Sequence, residues 1–181
     1  DEWSVLWEAR EGELERLLGP TTERVFHSLV PLPLGGGADV LEFPAFVSGS
    51  TYVTAELTGP PDQPESSLGQ YELMICTREP ADWAPNLLSR LAPYTLEAVI
   101  DPFETMDIGP ALPAGSTIAA FLFTEPPLPE NSFLVAGQQC GLLLCVGITA
   151  AELALCHRGL SSSVLDALID ADVFPFTDLT P

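Results

Sequence analysis

Leu142-Leu-Leu-Cys-Val-Gly-Ile-Thr-Ala-Ala-Glu-Leu153 is the stretch that decides the fold. Its first five residues form a continuous apolar run, which is typical of a buried strand. Thr149 and Glu152 have the spacing of a capping box, in which the threonine side chain accepts from the backbone at Glu152 and the carboxylate reaches back. The stretch therefore predicts a buried strand that runs into a capped helix ending at His157 or Arg158.

Further strands and helices can be assigned on both sides of this stretch. The predicted strands are Val25–Val30, Ala38–Phe43, Ser50–Leu57, Gln70–Thr77, Thr117–Thr124, Phe133–Ala136, Leu142–Val146 and Phe174–Thr177. The predicted helices are residues 3–18, a helix beginning near Pro85 and ended or kinked by Pro93, the capped helix, and a helix through Val164 and Leu168 capped by serines 161–163. A polar turn is predicted around Gly137-Gln-Gln, and the stretch that follows the helix ended or kinked by Pro93, as far as Gly115, predicts a long acidic loop.

Length and composition indicate one folded domain over residues 1–181. Apolar residues make up 46% of the chain and the mean hydropathy is +0.25, so a packed core is expected. No apolar run approaches the ~20 residues that cross a bilayer, and no secretory signal is visible, which predicts a cytoplasmic protein without a membrane segment. The four cysteines are expected to be buried and reduced, although a disulfide remains an alternative.

The charge balance constrains the partner. Twenty-six acidic residues stand against six arginines and no lysine, giving a formal net charge of -20. Binding to a nucleic-acid backbone needs basic groups that displace counterions, so a nucleic-acid partner is not expected. A basic protein partner would be steered toward this surface. The acids of the predicted loop, Asp101, Glu104 and Asp107, are therefore the candidate partner contacts; the alternatives are a charge bias that only maintains solubility and an ordinary covering loop.

Catalytic chemistry finds little support in the sequence. Only His27 and His157 are available as histidine bases, and no Gly-x-Ser-x-Gly elbow is present. Cys140, Cys145, Cys156 and His157 are close in sequence, but their spacing suits a zinc site poorly. No cofactor, metal site or enzymatic activity is therefore predicted.

Several segments, taken in order, resemble the Suppressor of fused domain in its bacterial, single-domain type. They are Ala38-Asp-Val-Leu-Glu-Phe-Pro44, Thr51–Thr58, Gln70-Tyr-Glu-Leu-Met-Ile75, Trp83-Ala-Pro to Tyr94, Phe121-Leu-Phe-Thr-Glu-Pro126 and Cys145-Val-Gly-Ile-Thr-Ala-Ala-Glu-Leu153. One departure is Ala55-Glu-Leu-Thr-Gly59, where the family has a "T-S-G-L-S" segment. The elements and the resemblance together predict an α+β fold with a mixed, largely antiparallel β-sheet flanked by α-helices.

The resemblance implies a non-catalytic protein-binding domain. The best-known animal member clamps a peptide strand of a transcription factor between two domains, but the motifs match its N-terminal domain only, so that activity is not implied. Bacterial relatives are proposed to be immunity proteins, and an acidic inhibitor suits a basic toxin. The alternatives are a peptide-binding scaffold or regulatory module that uses an exposed strand edge, and a Cys/His-dependent enzyme.

Overall fold

The computed structural model describes residues 1–60 and 62–181. The strands are β1 Val25–Phe26, β2 Val40–Phe43, β3 Ser50–Thr54, β4 Gln70–Thr77, β5 Thr105–Asp107, β6 Ile118–Thr124, β7 Phe133–Val135 and β8 Gln138–Thr149. The helices are α1 Glu2–Leu18, α2 Trp83–Leu91, α3 Tyr94–Glu97, α4 Ala150–His157 and α5 Ser161–Asp170, and short 3-10 turns lie at Leu32–Leu34 and Gly109–Ala111.

All eight strands belong to one sheet. Its order is β1-β2-β3-β4-β8-β6-β5, and β7 also pairs with β8. Among the named strands of the described residues, the central β4–β8 pair is parallel and the other pairs are antiparallel. The predicted α+β fold with a mixed, largely antiparallel sheet is therefore confirmed.

Successive side chains of a strand point to opposite faces of the sheet. Both faces carry apolar side chains, and helices cover each of them to form two cores. In β8, Leu142 and Leu144 pack into the core that includes α1, α4 and α5. Leu143 and Cys145 pack into the opposite core with α2. None of the helices in the described part of the chain is long and apolar enough to cross a membrane.

The stretch from Leu142 to Leu153 forms the predicted strand and capped helix. The Thr149 side chain accepts from the Glu152 backbone at 3.3 Å, and the Glu152 carboxylate accepts from the Thr149 backbone at 2.8 Å. The polar turn predicted around Gly137-Gln-Gln is misplaced. Ala136 and Gly137 make the turn, both with positive φ, whereas Gln138 and Gln139 already pair with β7.

Other boundaries differ because contacts distant in sequence decide them. β3 ends at Thr54, three residues early, since the backbone N–H groups of Leu57 and Thr58 bind a side chain of β4 instead of a strand. The predicted strand Val25–Val30 is only two residues long. Phe174–Thr177 forms a single bridge, from Phe176 to Cys76.

Two predictions around the helices and loops were wrong. Serines 161–163 do not cap α5; they form its first turn, and the N-cap Leu160 makes no side-chain hydrogen bond. The stretch predicted as a long acidic loop up to Gly115 is not entirely loop, because it contains β5. Backbone bonds from Phe103 to Phe123, at 2.7 Å, and from Ile108 to Ala119, at 3.1 Å, hold this segment against β6.

Candidate functional site

The three acids predicted as partner contacts lie along one edge of the sheet. Asp101 and Glu104 belong to the turn before β5, and Asp107 is the last residue of β5. The Asp101 carboxylate accepts from the Ser67 backbone at 2.7 Å, and the Glu104 carboxylate accepts from the Asp101 backbone at 2.7 Å. Two of the three carboxylates thus also fix the turn, while Glu104 and Asp107 are exposed to solvent.

β5 is an edge strand. One side pairs with β6, and no strand in the described ranges, 1–60 and 62–181, pairs with the other side. An open edge presents backbone donors and acceptors to which an extended chain can add. At three residues, β5 is also short, as edges that avoid aggregation usually are.

A cleft of about 450 Å³ lies beside this edge, between β5, the turn after it, α2 and α3. Its lining is mainly apolar, with one positive and one negative side chain. The lining residues are Leu87, Arg90, Leu91, Tyr94, Met106, Asp107, Ile108, Pro110 and Ala111. Tyr94 is 55% exposed, so an aromatic face is available to a partner. We call residues 101–107 together with this cleft the β5 surface.

The family model of the Suppressor of fused protein (SUFU) matches residues 37–180, which is most of the chain. The chain belongs to the Suppressor of fused family. The resemblance seen in the sequence motifs is thereby confirmed. The β5 surface lies within the matched residues, whereas α1 and β1 precede them. Among curated proteins, none matches the chain in sequence.

Solved Suppressor of fused structures share the fold. A putative homologue from Neisseria gonorrhoeae is 16% identical, with a TM-score of 0.69, over 98% of this chain and 96% of that one. A chain of the Sufu–Fu complex is 14% identical, with a TM-score of 0.68, over 92% of this chain and 82% of that one. Drosophila Suppressor of Fused is 16% identical, with a TM-score of 0.60, over 77% of this chain and 41% of that one.

The cysteines of this Suppressor of fused domain are all buried and free. Cys140 and Cys145 lie in opposite cores, so they cannot ligate one zinc ion together. Burial raises the pKa of Cys76 to about 12 and that of Cys140 to about 11, and it also raises the pKa of Cys145. Raised values oppose formation of the thiolate that a nucleophilic cysteine requires.

Within residues 1–60 and 62–181, neither histidine forms a hydrogen bond with any of these thiols. His27 lies 2.6 Å from the Asp39 carboxylate, and Asp39 also accepts from the Ser28 backbone at 3.1 Å. His157 is the last residue of α4, where an imidazolium would complement the helix dipole.

A buried carboxylate in β4 was missed by the sequence analysis. Glu72 Oε1 accepts from the backbone of Leu57 at 2.9 Å and from the backbone and hydroxyl of Thr58 at 3.0 and 2.9 Å. Its Oε2 accepts from the Thr54 hydroxyl at 2.6 Å. Complete burial raises the pKa of Glu72 to about 7, although Arg10 and these hydrogen bonds act in the opposite direction.

Glu72 serves the fold instead of contacting a partner. Its carboxylate holds the chain turn that follows β3, and Arg10 of α1 donates to the Thr58 carbonyl of the same turn at 2.7 Å. α1 is therefore joined to the sheet through a buried polar contact as well as through its apolar face. A glutamate within an otherwise buried strand was the signal available in the sequence, because an unpaired buried charge is strongly unfavourable.

Proposed function

We propose that this chain is a non-catalytic, cytoplasmic protein-binding domain that holds a basic protein on its β5 surface. The observation that carries the proposal is the open edge of β5, which has Asp107 on it and Asp101 and Glu104 immediately before it. A Sufu chain of the same fold occurs in a complex with Fu, which supports protein binding as the general role. The raised thiol pKa values support the absence of cysteine catalysis.

Charge supports a basic partner. The chain carries a net charge of -20, so its field attracts a positive protein and speeds the encounter. Opposite charges at the contact then favour one orientation, because like charges brought together are strongly unfavourable. The cleft contributes slow dissociation, which charge alone does not give. An apolar side chain of the partner, buried beside Leu87 and Leu91, would have to leave the cleft before the complex separates.

We propose further that the partner is a toxin and that the chain is its immunity protein. The resemblance to bacterial single-domain relatives and the acidity of the chain support this role. The mechanism would be occlusion: a folded, rigid domain covers the basic surface through which a toxin holds its target. Such inhibition needs no catalytic group in the immunity protein.

A second function is favoured by the same open strand edge. A peptide-binding scaffold would add an extended segment to β5, with backbone hydrogen bonds giving affinity and the cleft selecting a side chain. The two functions differ in what is bound. An immunity protein binds one folded protein tightly, whereas a scaffold binds several short segments weakly.

The test is an affinity capture from the native host with the chain as bait, followed by binding measurements on the captured protein. The first variant combines Asp101→Asn, Glu104→Gln and Asp107→Asn, changes that keep an oxygen to accept the bonds from Ser67 and Asp101. The matched control combines Asp166→Asn, Asp170→Asn and Asp172→Asn, which removes the same charge from exposed positions in and just after α5.

We expect one basic protein in stoichiometric amount, with affinity reduced by the first variant well beyond the effect of the control. Equal weakening by both variants would show that total charge acts and would refute the β5 surface as the contact. Weak capture of many extended peptides would favour the scaffold. A metal bound in stoichiometric amount, or a substrate that the chain converts, would support the alternative of a Cys/His-dependent enzyme and contradict the proposal.

A further inference from the structure

The two methionines of the chain have different surroundings. Met74 lies in β4 at the centre of the sheet, and its side chain is fully buried in the core on the α1 side. Met106 is the middle residue of the edge strand β5, and it is only partly buried where it packs against the opposite core. A small molecule in solution can therefore reach the side chain of Met106, whereas the fold shields that of Met74.

The Met106 side chain lines two clefts. One is the cleft of the β5 surface, where Met106 belongs to the mainly apolar lining with Leu87 and Leu91. The other has a volume of about 460 Å³ and is lined also by Phe103 and Phe123. A thioether is apolar and a sulfoxide is polar, so oxidation of this one residue would change the character of the cleft.

Oxidation at Met106 would leave the backbone of β5 in place. Before Met106, the N–H of Phe123 donates to the Glu104 carbonyl at 2.9 Å. After it, the N–H of Ile108 donates to the Ala119 carbonyl at 3.1 Å. These bonds involve no side chain, so a changed side chain at Met106 alters the cleft while the strand stays paired with β6.

The charge of the chain favours an uncharged oxidant. A net charge of -20 repels anionic oxidants, but it does not repel hydrogen peroxide. The thioether sulfur attacks one peroxide oxygen as the O–O bond breaks, the sulfur–oxygen bond forms, and the other oxygen leaves as water after taking the proton. Sulfur loses two electrons and the peroxide gains them, so no further reactant is needed.

We propose that Met106 is a reversible oxidation site, and that its sulfoxide, formed by hydrogen peroxide, releases a partner from the β5 surface. The release rests on the function proposed for that surface. An apolar side chain of the partner, seated in the cleft, would cover the sulfoxide oxygen without giving it a hydrogen bond. Loss of hydration at that oxygen weakens the complex by about ten-fold. Methionine sulfoxide reductases restore the thioether, so the change can be reversed.

The test treats the folded chain with hydrogen peroxide and follows the oxidation of each methionine by mass spectrometry. Met74 reports on the fold, because a chain that unfolds during the treatment exposes it. The matched variant is Met106→Leu, which keeps an apolar side chain of similar volume and cannot form a sulfoxide. The affinity of each sample for the basic protein captured from the native host is measured before treatment, after treatment, and after a methionine sulfoxide reductase has acted.

We expect Met106 to be oxidised well before Met74, and the affinity to fall about ten-fold and to return after reduction. The affinity of Met106→Leu, whatever its untreated value, should not respond to peroxide. Equal oxidation of both methionines would overturn the assignment of the site.

Two results would overturn the release of the partner: complete oxidation of Met106 with unchanged affinity, and an equal loss of affinity in peroxide-treated Met106→Leu. The second result would place the effect at another residue. Capture of no partner by the untreated chain would refute the function proposed for the β5 surface and the release with it. The order of oxidation of the two methionines would still decide whether Met106 is the modified site.

Discussion

Replacement of the buried glutamate of β4 by glutamine should flatten the dependence of stability on pH. Glu72 has a pKa of about 7 in the folded chain against an ordinary value of 4.5, because burial disfavours its charged form. The folded state therefore binds more protons than the unfolded state between these two values. Stability linked to this group is fully present below about pH 4.5 and is lost as the pH rises through about 7.

The size of the effect follows from the two pKa values. A tenfold change in the acid dissociation constant corresponds to about 1.4 kcal/mol. Deprotonation of the Glu72 carboxyl therefore lowers the free energy of unfolding by about 2 to 3 kcal/mol as the pH rises from about 5 to about 8. Glu72→Gln removes this contribution while the amide oxygen still accepts from Leu57 and Thr58.

Urea unfolding of the native chain and of Glu72→Gln over this pH range measures the difference directly. Glu8→Gln removes one exposed carboxylate from α1 and controls for the change in net charge. The native chain and the control should lose stability in parallel, and the free energy of Glu72→Gln should fall by about 2 to 3 kcal/mol less. Parallel curves for all three proteins would refute the account of Glu72 as a carboxyl protonated by burial.

Two further predictions concern the backbone and the thiols. Gly69→Ala should lower the free energy of unfolding, measured in urea, by more than Gly137→Ala does. Both glycines have positive φ, but only at Gly69 would the new Cβ lie 2.3 Å from the Gln139 carbonyl oxygen, so equal losses of stability in the two variants would contradict that close approach. A thiol reagent near pH 8 should not modify Cys76, Cys140 or Cys145 until the chain is unfolded, since burial raises the pKa of each thiol. Modification of these three cysteines in the native chain, located by mass spectrometry, would contradict this prediction.

Local signals predicted the parts of the fold that depend on near neighbours. Gln70–Thr77 was predicted with the bounds that β4 has, because eight residues of strand-forming character are closed by a glycine and a charged turn. The Thr149 capping box was also readable, since both of its hydrogen bonds join residues three apart. In these cases the interactions that decide the structure lie within the segment itself.

Longer-range contacts decided what the sequence could not predict. β5 has three residues without a strong pattern, and it is a strand because β6 lies beside it. The Glu72 site joins β4 to the end of β3 and to the turn after it, 14 to 18 residues away. The three candidate acids were found by charge and loop composition, but their place on an open sheet edge required the strand order, which no local pattern contains.

Coverage of both sheet faces limits where a partner can bind. Most side chains of the central strands enter one of two cores, so the edges, the outer sides of the helices and the loops remain. β5 has only three residues, and strand addition there forms too few backbone bonds to hold a partner tightly. Tight, selective binding therefore needs side-chain burial beside the edge, as in the cleft of the β5 surface. Charge alone would give fast but salt-sensitive encounters, because exposed ion pairs are weakened by screening.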